Sequence, residues 1–186
     1  MTSASGKPSV ATSVPGVLLI GMRGSGKTTI GALVARRLGR PFVDLDDRAR
    51  EVLSAPTVVE AFARHGEHKW REAEASALAA VLAGGSSIIA IGAGAPEHPP
   101  SADAIRAART MGWRVIFLDA SIDSVQSRLA HMMGDRPALT ALSPSDELAT
   151  LYARRRPVYL SLADRVVDAS APSPESVVSA VEGAAS

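Results

Sequence analysis

The 186 residues carry 46% hydrophobic and 21% charged side chains, which excludes disorder throughout and leaves room for one ordinary domain. The formal net charge of +1 excludes a dedicated binder of nucleic acid or membrane surfaces that works by bulk charge. Cysteine is absent, so a disulfide scaffold, thiolate catalysis and a sulfur-based zinc site are excluded, and a reducing, cytoplasmic setting is expected.

Residues 1–15 are small and polar, lack the apolar core of a secretory signal, and read as a disordered tail ahead of a single domain over 16–186. A short apolar strand is expected at 17–20, then a helix over 28–38 closed by Gly39, and a second strand at 41–43. Helical spacing returns over 68–83, with Trp70, Ala73, Ala77, Leu78 and Val81 on one face. The charge-free stretch 75–96 is interrupted by Gly84-Gly85-Ser86-Ser87, so it reads as a helix end, a turn and a buried strand, not a membrane span. Strands at 88–91 and 115–118 follow, then helices from 122 to about 132 and from 145 to about 155, a strand at 166–167 and a helix over 173–185. Apolar strands alternating with helices predict an α/β fold, a doubly wound parallel five-stranded sheet with helices on both faces.

Gly21-Met22-Arg23-Gly24-Ser25-Gly26-Lys27-Thr28 matches G-x-x-x-x-G-K-[ST] in full, between an expected strand and an expected helix. Glycines there let successive backbone N–H groups converge on phosphate oxygens, and the helix adds its positive end. Gly24, Ser25, Gly26, Lys27, Thr28 and Thr29 are therefore the expected ATP-binding run, with Lys27 on the β and γ phosphates and the Thr28 hydroxyl on Mg²⁺. Asp44 and Asp46 stand just beyond the second strand, close to this cradle in a doubly wound sheet. A core of this length suits a small-molecule kinase better than a motor.

Four further motifs follow in order: Gly66-Glu67-His68-Lys69-Trp70-Arg71-Glu72-Ala73-Glu74, Gly92-Ala93-Gly94-Ala95, Asp135-Arg136-Pro137, and Arg155-Arg156-Pro157-Val158-Tyr159. With the phosphate loop and Asp44-Leu45-Asp46, they make the chain resemble the shikimate kinases from about residue 16 to 168. The resemblance implies a P-loop fold with a lid over about 131–145, and ATP-dependent phosphorylation of the 3-hydroxyl of shikimate with Mg²⁺. It also implies roles. Asp44 would hold Mg²⁺ through its water shell, and Asp46 would accept a hydrogen bond from the attacked hydroxyl as base or orienting group. Arg71 and Arg155 would clamp the substrate carboxylate. Gly92, Ala93 and Gly94 would offer backbone N–H groups, and Arg136 would reach the transferred phosphoryl group. Arg128 is similar to an adenine-stacking arginine. Physical chemistry agrees: a planar guanidinium holds a carboxylate bidentately, and phosphoryl transfer needs an aligned nucleophile and positive charge more than covalent help.

Plainer roles compete. Asp46 could cap a helix, Arg71 could pair with Glu74 on its own helix, and Arg154 and Arg156 read best as a solvated helix end. The four histidines are expected on the surface. Two departures from the family pattern, Ala93 between two glycines and Ala138 after Arg136-Pro137, leave two alternatives to shikimate phosphorylation. One is a kinase of another small polyol or carboxylated substrate; the other is a ligand-sensing domain without catalysis. A monomer is expected, with no nucleic-acid or membrane partner.

Overall fold

The computed structural model describes residues 16–130, 144–170 and 173–185. The expected tail, residues 131–143 of the expected lid, and with them Arg136 and His131, lie outside the described residues.

Five strands, β1 (Val17–Ile20), β2 (Phe42–Asp44), β3 (Ile88–Ala90), β4 (Arg114–Asp119) and β5 (Arg165–Asp168), pair in parallel in the order β2-β3-β1-β4-β5. Leu18 of β1 stands opposite Ile89 on one side and Val115 on the other. β1, β3 and the centre of β4 are wholly buried, as their unbroken apolar runs predict. The edge strands are less enclosed: β2 is half-buried and β5 mostly exposed.

Helices α1 (Lys27–Leu38) and α7 (Pro174–Ala185) pack together against the sheet, while α3 (Val58–Ala83), α4 (Pro99–Thr110) and α6 (Pro144–Leu162) pack as a second group. The short α2 (Leu45–Val52) lies on α3, and α5 (Ile122–Ala130) on α6. The main core is aliphatic, built on the central strands. A satellite core of Ala49, Ala55, Ala61, Trp70 and Ala73 joins α2 to α3, with the Trp70 and Phe62 ring centroids 5.4 Å apart.

Several elements depart from the sequence expectation. α3 begins at Val58, where the Thr57 side chain accepts the Glu60 backbone N–H at 3.1 Å, and Gly66 interrupts it at φ 75°, ψ 169°. That break hides the first half from a search for continuous helical spacing. α2 is short and highly charged, and α4 opens on Pro99-Pro100, residues that read as breakers but are tolerated in a first helical turn, where no N–H is needed. α6 continues through Pro157 to Leu162 and does not stop near Arg155.

The chain leaves β1 toward β2 and β3, then lays β4 and β5 on the other side of β1. In such sheets the crevice beyond the carboxyl ends of the strands at the reversal receives ligands.

Candidate active site

The phosphate loop joins β1 to α1, with Gly24 at φ 77° and Gly26 at φ 98°, left-handed values that a side chain would strain. Inside it the Lys27 ammonium donates to the carbonyls of Gly21 (2.9 Å) and Met22 (2.8 Å). Ser25 is buried beneath the loop, and Thr28 and Thr29 face outward. Arg128 of α5 donates to the carbonyls of Gly24 (3.3 Å), Ser25 (3.4 Å) and Ala169 (2.7 Å), and so ties the loop to the segment after β5. A cleft of about 1080 Å³ opens here, bordered by the loop together with Asp44, Asp46, Gly92, Ala93 and Arg128.

Asp44 ends β2 and caps α2, accepting the Asp46 backbone N–H on Oδ1 at 3.0 Å. The capping role considered for Asp46 therefore belongs to Asp44, and Asp46 sits in the first turn of α2. The other Asp44 oxygen accepts the Thr28 hydroxyl at 2.7 Å. A hydroxyl and a carboxylate brought together beside the phosphate loop fit Mg²⁺, a hard cation that commonly takes few protein ligands and completes its shell with water and phosphate.

The turn after β3 needs glycine for closeness. A Cβ on Gly92 would stand 2.7 Å from Asp46 Oδ1 and would also run into the Glu74 carboxylate, while one on Gly94 would run into the Arg71 guanidinium. Neither glycine has a positive φ, and among the described residues Ser54 is the one non-glycine that does. Ala93 therefore carries no left-handed strain. It borders the cleft, and its carbonyl accepts the Tyr159 hydroxyl at 2.7 Å.

Arg71 lies over this turn, held by Glu74 (Nη1 to Oε2, 2.6 Å) and Glu67 (Nη2 to Oε1, 3.0 Å). The pairing with Glu74 thus exists, and it coexists with the packing against Gly94. Burial works against the charge, but Glu74 and then Glu67 outweigh it and hold the Arg71 pKa above its ordinary value. Trp70, wholly buried, anchors α3 one residue away.

Arg155 comes from α6 and is 4% exposed, with its Nε donating to Glu97 Oε2 at 2.7 Å. Glu97, whose backbone N–H bonds to the Gly94 carbonyl at 3.1 Å, thereby brings it to the turn that Arg71 also packs on. Tyr159, one helical turn further on, is buried with its ring 5.1 Å from Phe117, and its hydroxyl also contacts Met22 Sδ at 3.7 Å. Burial pushes its phenol pKa well up, so it remains a neutral donor that joins the phosphate loop to the glycine turn.

Arg154 and Arg156 keep solvated side chains, as expected, but they lie inside α6 and not at its end, and both are ion-paired. Arg154 grips Glu97 at 2.6 and 3.0 Å, and Arg156 holds Asp119 at 3.0 Å, where the Tyr152 hydroxyl also donates at 2.8 Å. Sequence reasoning missed Glu97 and assigned no part to Tyr159. Tyr159 was findable, because it stands four residues after Arg155 and shares its helix face. His65 and His68 are exposed as expected, whereas His98 is half-buried.

A phosphate cradle opening onto a cleft bordered by Asp44, Asp46 and the glycine turn, on a parallel sheet of this order, defines the class of P-loop phosphotransferases. The shikimate kinase family model matches residues 23–184. The shikimate kinase of Symbiobacterium thermophilum is 41% identical over 148 residues, 79% of this chain and 82% of that one. Among solved structures, Acinetobacter baumannii shikimate kinase in complex with shikimate superposes with a TM-score of 0.82 at 25% identity, covering 90% of both chains. The Bacteroides thetaiotaomicron shikimate kinase superposes at 0.78 with 30% identity, covering 91% of this chain and 97% of that one. This chain belongs to the shikimate kinase family. No helix among the described residues is long and apolar enough to cross a membrane.

Proposed function

We propose that the chain transfers the γ-phosphoryl group of ATP to the 3-hydroxyl of shikimate, giving shikimate 3-phosphate and ADP. The observation that carries this reading is the turn after β3. Asp46 and Arg71 press on its two glycines, Arg155 is joined to it through Glu97, and the turn borders the same cleft as the phosphate loop.

In this reading the loop amides and Lys27 receive the β and γ phosphates, and Arg128 lies where the nucleotide's base side would be bounded. Thr28 and Asp44 would hold Mg²⁺, which when bound offsets charge on the phosphate oxygens. Arg71 and Arg155 fix the acceptor through its carboxylate, and the 92–94 amides meet its ring hydroxyls. Asp46 orients the attacked hydroxyl and takes its proton as the new O–P bond forms and the bond to the ADP oxygen breaks. Arg136, beyond the described residues, would add positive charge at the transferred group. The reading includes action as a cytoplasmic monomer.

Coupled ADP release across shikimate, gluconate and nucleoside monophosphates tests the acceptor. Turnover is expected with shikimate, above the other acceptors. Turnover with a nucleotide acceptor alone would overturn the assignment, and binding of ATP and shikimate without ADP release would favour a sensing domain.

A further inference from the structure

Arg155 is nearly enclosed, yet the structure shows only one edge of its guanidinium engaged. Nε donates to Glu97 Oε2 at 2.7 Å, and among the described residues neither Nη1 nor Nη2 makes a hydrogen bond. A long side chain held by its inner edge keeps its outer fork in one plane, the geometry that a planar carboxylate meets with two parallel bonds. Glu97 is itself fixed. It sits in the short 3-10 turn Ala95–Glu97 that continues the glycine turn, its backbone N–H bonds back to the Gly94 carbonyl at 3.1 Å, and Arg154 grips both of its oxygens from outside. Burial would raise the Glu97 pKa, but hydrogen bonds from Arg154 and Arg155, with their charges, outweigh this and hold it below the usual carboxylate value, so it stays ionised.

We propose that Glu97 is a positioning residue for the acceptor carboxylate: it holds the Nε edge of Arg155, anchored in turn by Arg154, and so presents the Nη fork to the substrate. This rests on the proposed carboxylate clamp. It also explains why an otherwise surface-facing arginine, Arg154, with its side chain 59% exposed, is committed to a two-point contact.

The opposite arrangement, in which Glu97 occupies the substrate's place on Arg155, would set its carboxylate on the fork. The contact is on the other edge.

The test is steady-state kinetics with shikimate and ATP varied separately, on Glu97→Gln, Arg155→Lys and the double variant. Glutamine keeps an acceptor oxygen but loses the charge, so the shikimate KM should rise about tenfold, with kcat and the ATP KM within about twofold. In the Arg155→Lys background the same change should add less than about twofold, because the two act as a unit. An unchanged or lowered shikimate KM in Glu97→Gln, an equal rise in both KM values, or full additivity with Arg155→Lys would overturn the proposal. An Arg155→Lys variant with an unchanged shikimate KM points to a different failure, that of the clamp, and takes the proposal with it. Should Glu97→Gln fold poorly, Arg154→Gln loosens the same carboxylate from outside and should give the same one-sided KM rise, about threefold; no rise there overturns the proposal equally.

Discussion

Replacing Lys27 with alanine is expected to lower kcat on the order of 10³-fold, the range found when a group that stabilises transferred charge is removed. The ammonium sits within the loop on the Gly21 and Met22 carbonyls, at the start of α1 and beside the cleft, where a terminal phosphate would meet both its charge and the helix end. Because those two bonds also brace the loop, the melting temperature should be measured alongside ADP release. A stable variant within about tenfold of the parent rate would remove Lys27 from the transition state.

The second large effect is expected at Asp46. Asparagine keeps the size and one acceptor oxygen but cannot take a proton, so kcat should fall on the order of 10²-fold or more. ATP affinity should be largely kept, because the Thr28 contact and the cap of α2 both belong to Asp44. Equilibrium ATP titration with and without Mg²⁺ checks the division. Loss of ATP binding in Asp46→Asn would move Asp46 into the metal's surroundings, and an unchanged kcat would end its role as base.

The proposed nucleotide half of the site was legible because its chemistry is local: eight consecutive residues form the loop, and Asp44 ends the next strand. The proposed acceptor half joins residues from α2, α3, the glycine turn and α6, and family resemblance pointed to Arg71 and Arg155 where no spacing rule would. Glu97 escaped both routes. Its contact with Arg155 spans 58 residues, and nothing local marks an acid after Ala95-Pro96 as more than a first-turn charge. Two helices went unread and two were read short: α2 is short and polar and α4 opens on two prolines, while α3 is split at Gly66 and α6 continues through Pro157. Tertiary packing decided these, over propensity.

Ala93 shows how coordinates sharpen a sequence doubt. A methyl in a glycine turn can act through backbone strain or through bulk, and the absence of a left-handed φ leaves bulk alone. It borders the cleft, where that bulk would be felt.

The claim on which the rest depends is that two guanidinium groups hold the acceptor by its carboxylate while its hydroxyl faces the phosphate loop. Comparing turnover of shikimate with that of its carboxamide, a neutral analogue of nearly the same shape, tests it most directly. Losing charge-assisted pairing to two arginines is worth several kcal/mol, so kcat/KM should fall on the order of 10²-fold or more for the amide. An amide turned over within about threefold of shikimate would contradict the clamp.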